Sequence, residues 1–421
     1  MDTISLLVSR TTSILQTTPL PLLLLILVTT ILGAVALVIT LPINPSQAHP
    51  RNASANYLSL STKQLYTLLH LLAPIPRPPL PSEKTYRTIL PDGSTSAPKP
   101  LPCWLDTWAA KREVAKRDGS RNPGSGASEV EVEPEPASVF MTVVVPAYNE
   151  EKRLGGMLEE AVEYLQRAYG DAHGAESASG WEILIVSDGS TDKTEEYALR
   201  FARDHQLSQY PTPVPGPWKQ SPGPTHIPHG SIRVITLEEN RGKGGAVVHG
   251  MRHARGKYVV FADADGASEF TDLGKLVQGC REVEDGRGRG VAIGSRAHLV
   301  GSEAVVKRSF IRNFLMHSFH LLLRLLTPPA TSSIKDTQCG FKLFSRAALP
   351  HIIPYMHSEG WIFDVEMLML AESAEIPMKE VAVGWKEVMG SKLNVVWDSL
   401  GMALGLAVLR AGWGVGVYRR W

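Results

Sequence analysis

KYVVFADADG, residues 257–266, is an apolar run that ends in two carboxylates, and it reads as a buried strand with its exit loop. Asp263 and Asp265 stand two residues apart, so along an extended backbone both point to one side. A carboxylate pair aimed at one point suits a hard divalent cation, Mg2+ or Mn2+, which takes oxygen ligands and leaves positions for diphosphate oxygens. Asp263 and Asp265 are therefore the expected metal ligands. The plainer alternative is that the pair serves as turn residues or helix caps.

Working outward, short apolar runs at Met141–Val145, Ile183–Val186, Ile232–Thr236 and Gly290–Ile293 accompany this strand. Helical stretches around Arg153–Ala168, Lys193–Asp204 and Gly244–Arg255 separate them. Fully apolar strands between amphipathic helices predict an α/β domain whose mainly parallel sheet is covered on both faces. In such sheets ligands bind beyond the C-terminal ends of the strands. There the chain carries PAYNE (146–150), SDGSTD (187–192), NRGKGG (240–245) and ADADG (262–266). Gly242, Gly244 and Gly245 offer bare backbone beside a phosphate and Lys243 a cation, although glycine-rich helix starts are common. Asp188 and Asp192 bracket a Gly-Ser-Thr turn, where an Asx-turn followed by a helix cap is the structural alternative.

In identity and order these four motifs resemble glycosyltransferase family 2, whose nucleotide-sugar-binding domain has the GT-A type fold. The resemblance covers about Val139 to Trp413. Downstream, GSRAH (294–298), KRSFIRN (307–313), DTQCGFK (336–342) and WIFDVE (361–366) resemble the dolichyl-phosphate sugar transferases of that family, and WKEVMGSKLN (385–394) their glucosyl branch. The resemblance implies transfer of glucose from UDP-glucose to dolichyl phosphate with inversion. Transfer of mannose from GDP-mannose, or a membrane-tethered nucleotide-sugar-binding protein without turnover, are the alternatives. It further implies that Pro146, Tyr148, Glu150, Asp188, Asp192, Lys243 and Asp263 bind the nucleotide sugar, with base N–H and ribose hydroxyls on Asp188 and Asp192. Ser187 departs from the commoner pattern, in which an Asp precedes that pair. The implied catalytic set is Asp263, Asp265, Asp336, Gln338, Asp364 and Glu366, the last four holding sugar hydroxyls or ordering the acceptor site. A turn cap for Asp336 and a solvent-facing position for Glu366 are the structural alternatives. Arg296, Arg308 and Arg312 supply planar forks suited to the acceptor phosphate, unless they face solvent or lipid headgroups.

The remainder of the 421 residues sets the context. Lys and Arg number 43 against 42 Asp and Glu, which gives no global field for nucleic acid. Cys103, Cys280 and Cys339 are too scattered for a disulfide framework or a zinc site. Leu20–Leu41 carries no charge and is long enough to cross a bilayer, so residues 1–42 are expected to form a membrane anchor rather than a cleaved signal. Arg10 alone precedes the span, whereas Arg51, Lys63, Arg77, Lys84 and Arg87 follow it. That asymmetry predicts a single-pass protein with its catalytic part in the cytosol, at the endoplasmic reticulum membrane on the resemblance, and with the sequon at Asn52 unmodified. Residues 43–138 read as a juxtamembrane segment and linker, proline-rich over Pro74–Pro102 and mixed Gly, Ser, Pro and Glu over Asp118–Pro136. Residues 139–394 form the catalytic domain, with a surface insertion at Gln206–Gly230. Phe314–Leu326 and the C-terminal stretch 395–421 are apolar enough to be packed in protein or laid on a membrane as interfacial helices.

Overall fold

The computed structural model describes residues 75–121, 132–170, 179–219, 225–299, 318–319, 321–388, 395–414 and 417–418. The expected anchor span 20–41, the sequon at Asn52, Arg308 and Arg312 lie outside these residues. The chain divides into two compact units, Pro74–Ser399 and a second comprising residues 1–73 with 400–420.

The larger unit is built on a seven-stranded sheet in the order β5-β4-β3-β6-β8-β7-β9. Its strands are β3 (Val139–Ala147), β4 (Trp181–Asp188), β5 (Ile232–Leu237), β6 (Gly256–Ala262), β7 (Val291–Ser295), β8 (Phe341–Ser345) and β9 (Met378–Ala382). The β5-β4-β3-β6 half is parallel, β8 runs antiparallel to both β6 and β7, and β9 pairs parallel with β7. This is the GT-A-like α/β arrangement with a mainly parallel sheet.

Both faces are covered, which is why the central strands carry unbroken apolar runs rather than alternation. On one face Met141, Val143 and Val145 of β3 share a core with Leu158, Ala161 and Leu165 of α2 (Leu154–Tyr169), Ala198 and Ala202 of α3 (Thr194–Leu207), and Leu276 of α5 (Leu273–Val283). On the other face lie α4 (Gly242–Arg252) and α7 (Phe363–Ser373). A Cβ on Gly250 of α4 would stand 2.4 Å from Val144 Cγ1, so this glycine lets the helix settle onto the sheet. Phe363 meets Phe261 of β6 with ring centroids 5.6 Å apart.

The expectation of linker over Pro74–Pro102 is corrected by the structure. Thr85–Tyr86 (β1) and Lys99–Pro100 (β2) pair with each other, and Arg87 exchanges two backbone hydrogen bonds with Val234 on the open edge of β5 at 2.8 and 2.9 Å. Ile89, Leu101 and Trp104 are buried, the last at the start of α1 (Trp104–Arg121), whose Trp104 indole N–H donates to the Met251 carbonyl at 2.7 Å. Proline-rich composition suggested little core-forming capacity, but a few apolar anchors suffice when an unpaired sheet edge is there to be covered.

No helix among the described residues is long and apolar enough to cross a membrane. Of the Phe314–Leu326 stretch, residues 321–326 are helical, with Leu321 and Leu325 exposed and Leu323 and Leu326 buried. The C-terminal helix α8 (Val395–Gly414) closes with the N–H groups of Val417 and Tyr418 both donating to the Gly412 carbonyl.

Candidate active site

The loops that leave β3, β4, β5 and β6 share one edge of the sheet, joined there by the loop that enters β8. Asn149, with φ at +53°, anchors the first two to each other. Its carboxamide oxygen accepts the Thr191 N–H at 2.7 Å and the Asp192 N–H at 3.2 Å, while its own N–H donates to Ser190 Oγ at 3.1 Å. Asp192, itself exposed, accepts the N–H of Thr194 at 3.0 Å and of Glu151 at 3.2 Å at the same junction. The Asx-turn reading of Asp192 is thus realised, while the helix that follows has Lys193 at its N-cap position and no side-chain cap. Ser187 is fully buried, so the departure from an Asp there falls on an inward-facing position.

Asp188 is buried and its Oδ1 accepts the Arg241 N–H at 2.7 Å. Burial pushes its carboxyl up to about 6, against the backbone hydrogen bonds from Arg241 and Gly242 that favour the charge. The loop turns at Gly189, φ +64°, where a Cβ would meet the Asn240 nitrogen at 2.5 Å. Tyr148 is exposed, and Pro146 pairs with Val186 across the strands.

The glycines of NRGKGG have a reason that the sequence did not disclose. A Cβ on Gly242 would stand 2.7 Å from the Glu359 carbonyl oxygen, and one on Gly244 2.5 Å from Phe363 Cβ. The cluster accommodates close approach of the loop ahead of α7, and the Gly245 N–H donates to the Glu359 carbonyl at 3.0 Å. Arg241 reinforces this contact, bonding the Glu359 carboxylate through Nε at 2.9 Å and approaching Glu83 of the N-terminal arm at 3.7 Å.

Lys243 turns toward the carboxylate pair, with Nζ 2.6 Å from Asp263 Oδ1 and 5.8 Å from the Trp361 ring centroid. Burial works against its charge, yet Asp263 and then Asp364 outweigh burial and hold the ammonium above its usual value. Asp263 also lies against Gly340, where a Cβ would fall 2.0 Å from Oδ2, so only glycine leaves room for the carboxylate. Asp265 is raised above the usual carboxylate range, first by burial and then by the charge of Asp263. Arg153 stands 3.5 Å from Asp265 and chelates Glu150 at 2.8 and 2.6 Å, linking PAYNE to the carboxylate pair.

No group of three or more His, Cys, Asp or Glu that could hold a metal occurs among the described residues. Two carboxylates suffice for a cation that keeps substrate oxygens and water as its other ligands. The half-buried, mutually repelling pair, with Asp263 seated against Gly340, fits such a cation.

Around β7 and β8 the remaining candidates separate into three groups. Arg296 does meet Asp336, through Nε at 2.7 Å, Nη2 at 2.8 Å and its backbone N–H at 2.9 Å, and it lies 5.7 Å from the Trp385 ring centroid. Burial would raise the Asp336 carboxyl, but the Arg296 guanidinium outweighs it and holds the carboxyl below its usual range. Gln338 is half-buried on the same loop. Asp364 is buried against Lys342, whose ammonium reaches Oδ1 at 2.5 Å and the Cys339 carbonyl at 2.6 Å. Glu366 is not on a solvent-facing position: it is fully buried and accepts the N–H groups of His357 at 3.0 Å and Ser358 at 2.7 Å. Its visible work is to shape the loop that carries Glu359 and Trp361. Asn149, Arg153, Glu359 and Lys342 were not singled out by sequence reasoning, because each acts through partners far away in the chain.

The family profile described as glycosyl transferase family 2 matches residues 142–215 and 225–352. The dolichyl-phosphate beta-glucosyltransferase of Saccharomyces cerevisiae is 40% identical over 361 residues, covering 84% of this chain and 91% of that protein. The chain belongs to the dolichyl-phosphate beta-glucosyltransferases of glycosyl transferase family 2. The Drosophila melanogaster relative is 42% identical over 283 residues, 67% of this chain and 78% of its own length. Among solved structures, a Mycobacterium tuberculosis glucosyl-3-phosphoglycerate synthase, determined with Mn2+, uridine-diphosphate-glucose and phosphoglyceric acid, covers 65% of this chain and 80% of that chain. Its identity is 17% and its TM-score 0.42, a likeness too distant to speak about ligands.

Proposed function

We propose that this glycosyltransferase moves glucose from UDP-glucose to dolichyl phosphate with inversion, giving dolichyl β-D-glucosyl phosphate and UDP. The observation that carries the reading is the gathering of Asp188, Lys243, Asp263 and Asp265 along one sheet edge in a member of this family. Asp188 would accept from the base and Asp192 would shape the ribose side. Asp263 and Asp265 would hold Mg2+ or Mn2+, which when bound neutralises charge on the diphosphate. Lys243 and Arg153 keep the carboxylate pair in place. The acceptor phosphate is already anionic near neutral pH, so the protein's task is alignment and stabilisation of the departing UDP rather than strong base catalysis. Arg296, with Arg308 and Arg312, would receive the acceptor phosphate, and the Leu321 and Leu325 face would lie toward the lipid.

Purified full-length protein given radiolabelled UDP-glucose or GDP-mannose with a polyprenyl phosphate tests the reaction. Glucosyl lipid from UDP-glucose alone is expected; mannosyl lipid would overturn the donor. The reading includes a single-pass anchor at residues 20–41 in the endoplasmic reticulum membrane, with the catalytic domain in the cytosol. Protease added to sealed microsomes is then expected to digest that domain, whereas a protected domain or a glycan on Asn52 would reverse the orientation.

A further inference from the structure

Residues 216–224 of the proline-rich segment between α3 and β5 fall outside the family profile. Composition alone suggests a surface loop. Its described part is instead tied down at both sides, and one of those ties reaches the carboxylate-bearing turn.

On one side α2 holds the segment with buried carboxylates. Glu159, fully buried, accepts the Val214 N–H at 3.2 Å and meets His205 Nε2 at 3.0 Å. Glu160, also buried, accepts the Trp218 N–H at 2.9 Å. Gly216 is required there, because a Cβ would stand 2.3 Å from Glu160 Oε1 and 2.9 Å from the Gly156 carbonyl oxygen. Burying two carboxylates is costly, and although Glu159 Oε1 has no hydrogen-bond partner, the other contacts tie this part of the segment to α2 rather than leaving it a loose excursion.

On the other side the Trp218 indole N–H donates to the Gly266 carbonyl at 3.1 Å. Gly266 follows Asp265 directly, has φ at +70°, and packs between Met157 and Pro217. Lys386 covers the indole, with Nζ 4.2 Å from the ring centroid, and donates to the Pro217 carbonyl at 3.1 Å. The Lys386 N–H in turn donates to the Ala267 carbonyl at 2.9 Å, and a Cβ on Gly384 would meet the far edge of the indole at 2.9 Å. The turn 263–266 is therefore held by Gly340 on its β8 side, through the Asp263 N–H at 3.2 Å, and by Trp218 at its far end.

We propose that Trp218 is a positioning residue of the catalytic centre, and that the insertion is a strap whose indole hydrogen bond fixes the turn carrying Asp263 and Asp265. Charged ligands must be held to a fraction of an ångström for their electrostatic effect to be realised, and the last backbone acceptor of the turn is where the strap acts. The inference rests on the reading that Asp263 and Asp265 hold a divalent cation.

The test uses the full-length protein with Trp218→Phe, Trp218→Ala, Tyr210→Ala and Asp265→Asn. Mn2+ binding in the presence of UDP is read from the paramagnetic resonance of the free ion, and transfer rates are measured against Mn2+ concentration. Trp218→Phe keeps a ring beneath Lys386 and removes only the donor, so it decides the question even if Trp218→Ala folds poorly. Loss of one such bond is expected to weaken Mn2+ binding roughly three- to tenfold, with a parallel rise in the Mn2+ concentration for half-maximal transfer. Tyr210→Ala, at an exposed position of the same segment, is expected to bind as wild type does. Unchanged Mn2+ binding in Trp218→Phe, or equal weakening by Tyr210→Ala, would overturn the assignment. Asp265→Asn separates the two layers. If it abolishes Mn2+ uptake while Trp218→Phe has no effect, the cation reading stands and the strap fails. If wild type itself takes up no Mn2+ with UDP, both fall.

Discussion

Burial holds the Asp188 carboxyl near 6, and the two consequences have opposite signs. Because the folded-state value is raised, the stability contribution is complete below the unfolded value near 4 and is lost as pH rises through about 6. Binding to a base N–H, however, needs the ionised acceptor. UDP affinity measured by calorimetry should therefore fall as pH drops from 7 to 5, and Asp188→Asn should bind UDP weakly at every pH while melting at an equal or higher temperature at pH 8. A variant that retains the wild-type pH dependence would remove Asp188 from the base pocket. Asp265→Ala should lower metal-dependent transfer by about 10²- to 10³-fold, in line with loss of other preorganised electrostatic groups. Near-normal turnover would sink the metal assignment. Arg296→Ala is a less clean probe than composition suggests, since it strands the half-buried Asp336 carboxylate. Arg296→Ala with Asp336→Asn removes that penalty. The double variant should raise the apparent KM for dolichyl phosphate while leaving UDP-glucose binding near wild type. That Asp188, Asp263 and Asp265 stand at strand exits was legible in the sequence, because acidic residues after apolar runs are a local signal. Arg153 and Lys342 were not, because their meaning depends on carboxylates brought to them by the fold.

At the scale of elements, α4 carries a pair of histidines one turn apart that face the N-terminal arm. His249 Nε2–H donates to the Glu83 carbonyl and His253 Nδ1–H to the Pro102 carbonyl, each at 2.9 Å. Burial first, then the neighbouring histidine, holds His249 down to about 3, and burial holds His253 down to about 4. Depressed values mean stability that is present above about 6.5 and lost as pH falls, on the order of 2 kcal/mol per histidine by pH 5. His249→Gln with His253→Asn preserves both donors without the titration. Thermal melts of this double variant should lose much of the acid sensitivity between pH 6.5 and 5 and match wild type at pH 8; an unaltered acid slope would place the sensitivity elsewhere. The five strands read from sequence all exist because both sheet faces are covered, which leaves an unbroken apolar signature. The signature fails for β8, whose FKLFS buries Lys342 at its centre, and for the half-buried β9. A buried ammonium is tolerated only with partners such as Asp364 and the Cys339 carbonyl, and no local pattern announces them.

For the molecule as a whole, the domain begins well before the first strand of the sheet. A chain truncated to start at Val139 would expose the β5 edge and remove the partners of His249 and His253 together with the Glu83 contact of Arg241. It should be recovered poorly, or melt well below a chain starting at residue 75, as differential scanning calorimetry of the two would show. Equal melting would mean that the arm is dispensable. The arm also sets a mechanical route. The chain enters the fold through residues 75–86, where Glu83 lies beside Arg241 and the Arg241 N–H is bonded to Asp188. A pull on the incoming chain would load Arg77 and then Glu83, both of which bear on Arg241, so the side chain that braces the entry of the chain belongs to the residue whose own N–H secures the Asp188 carboxylate.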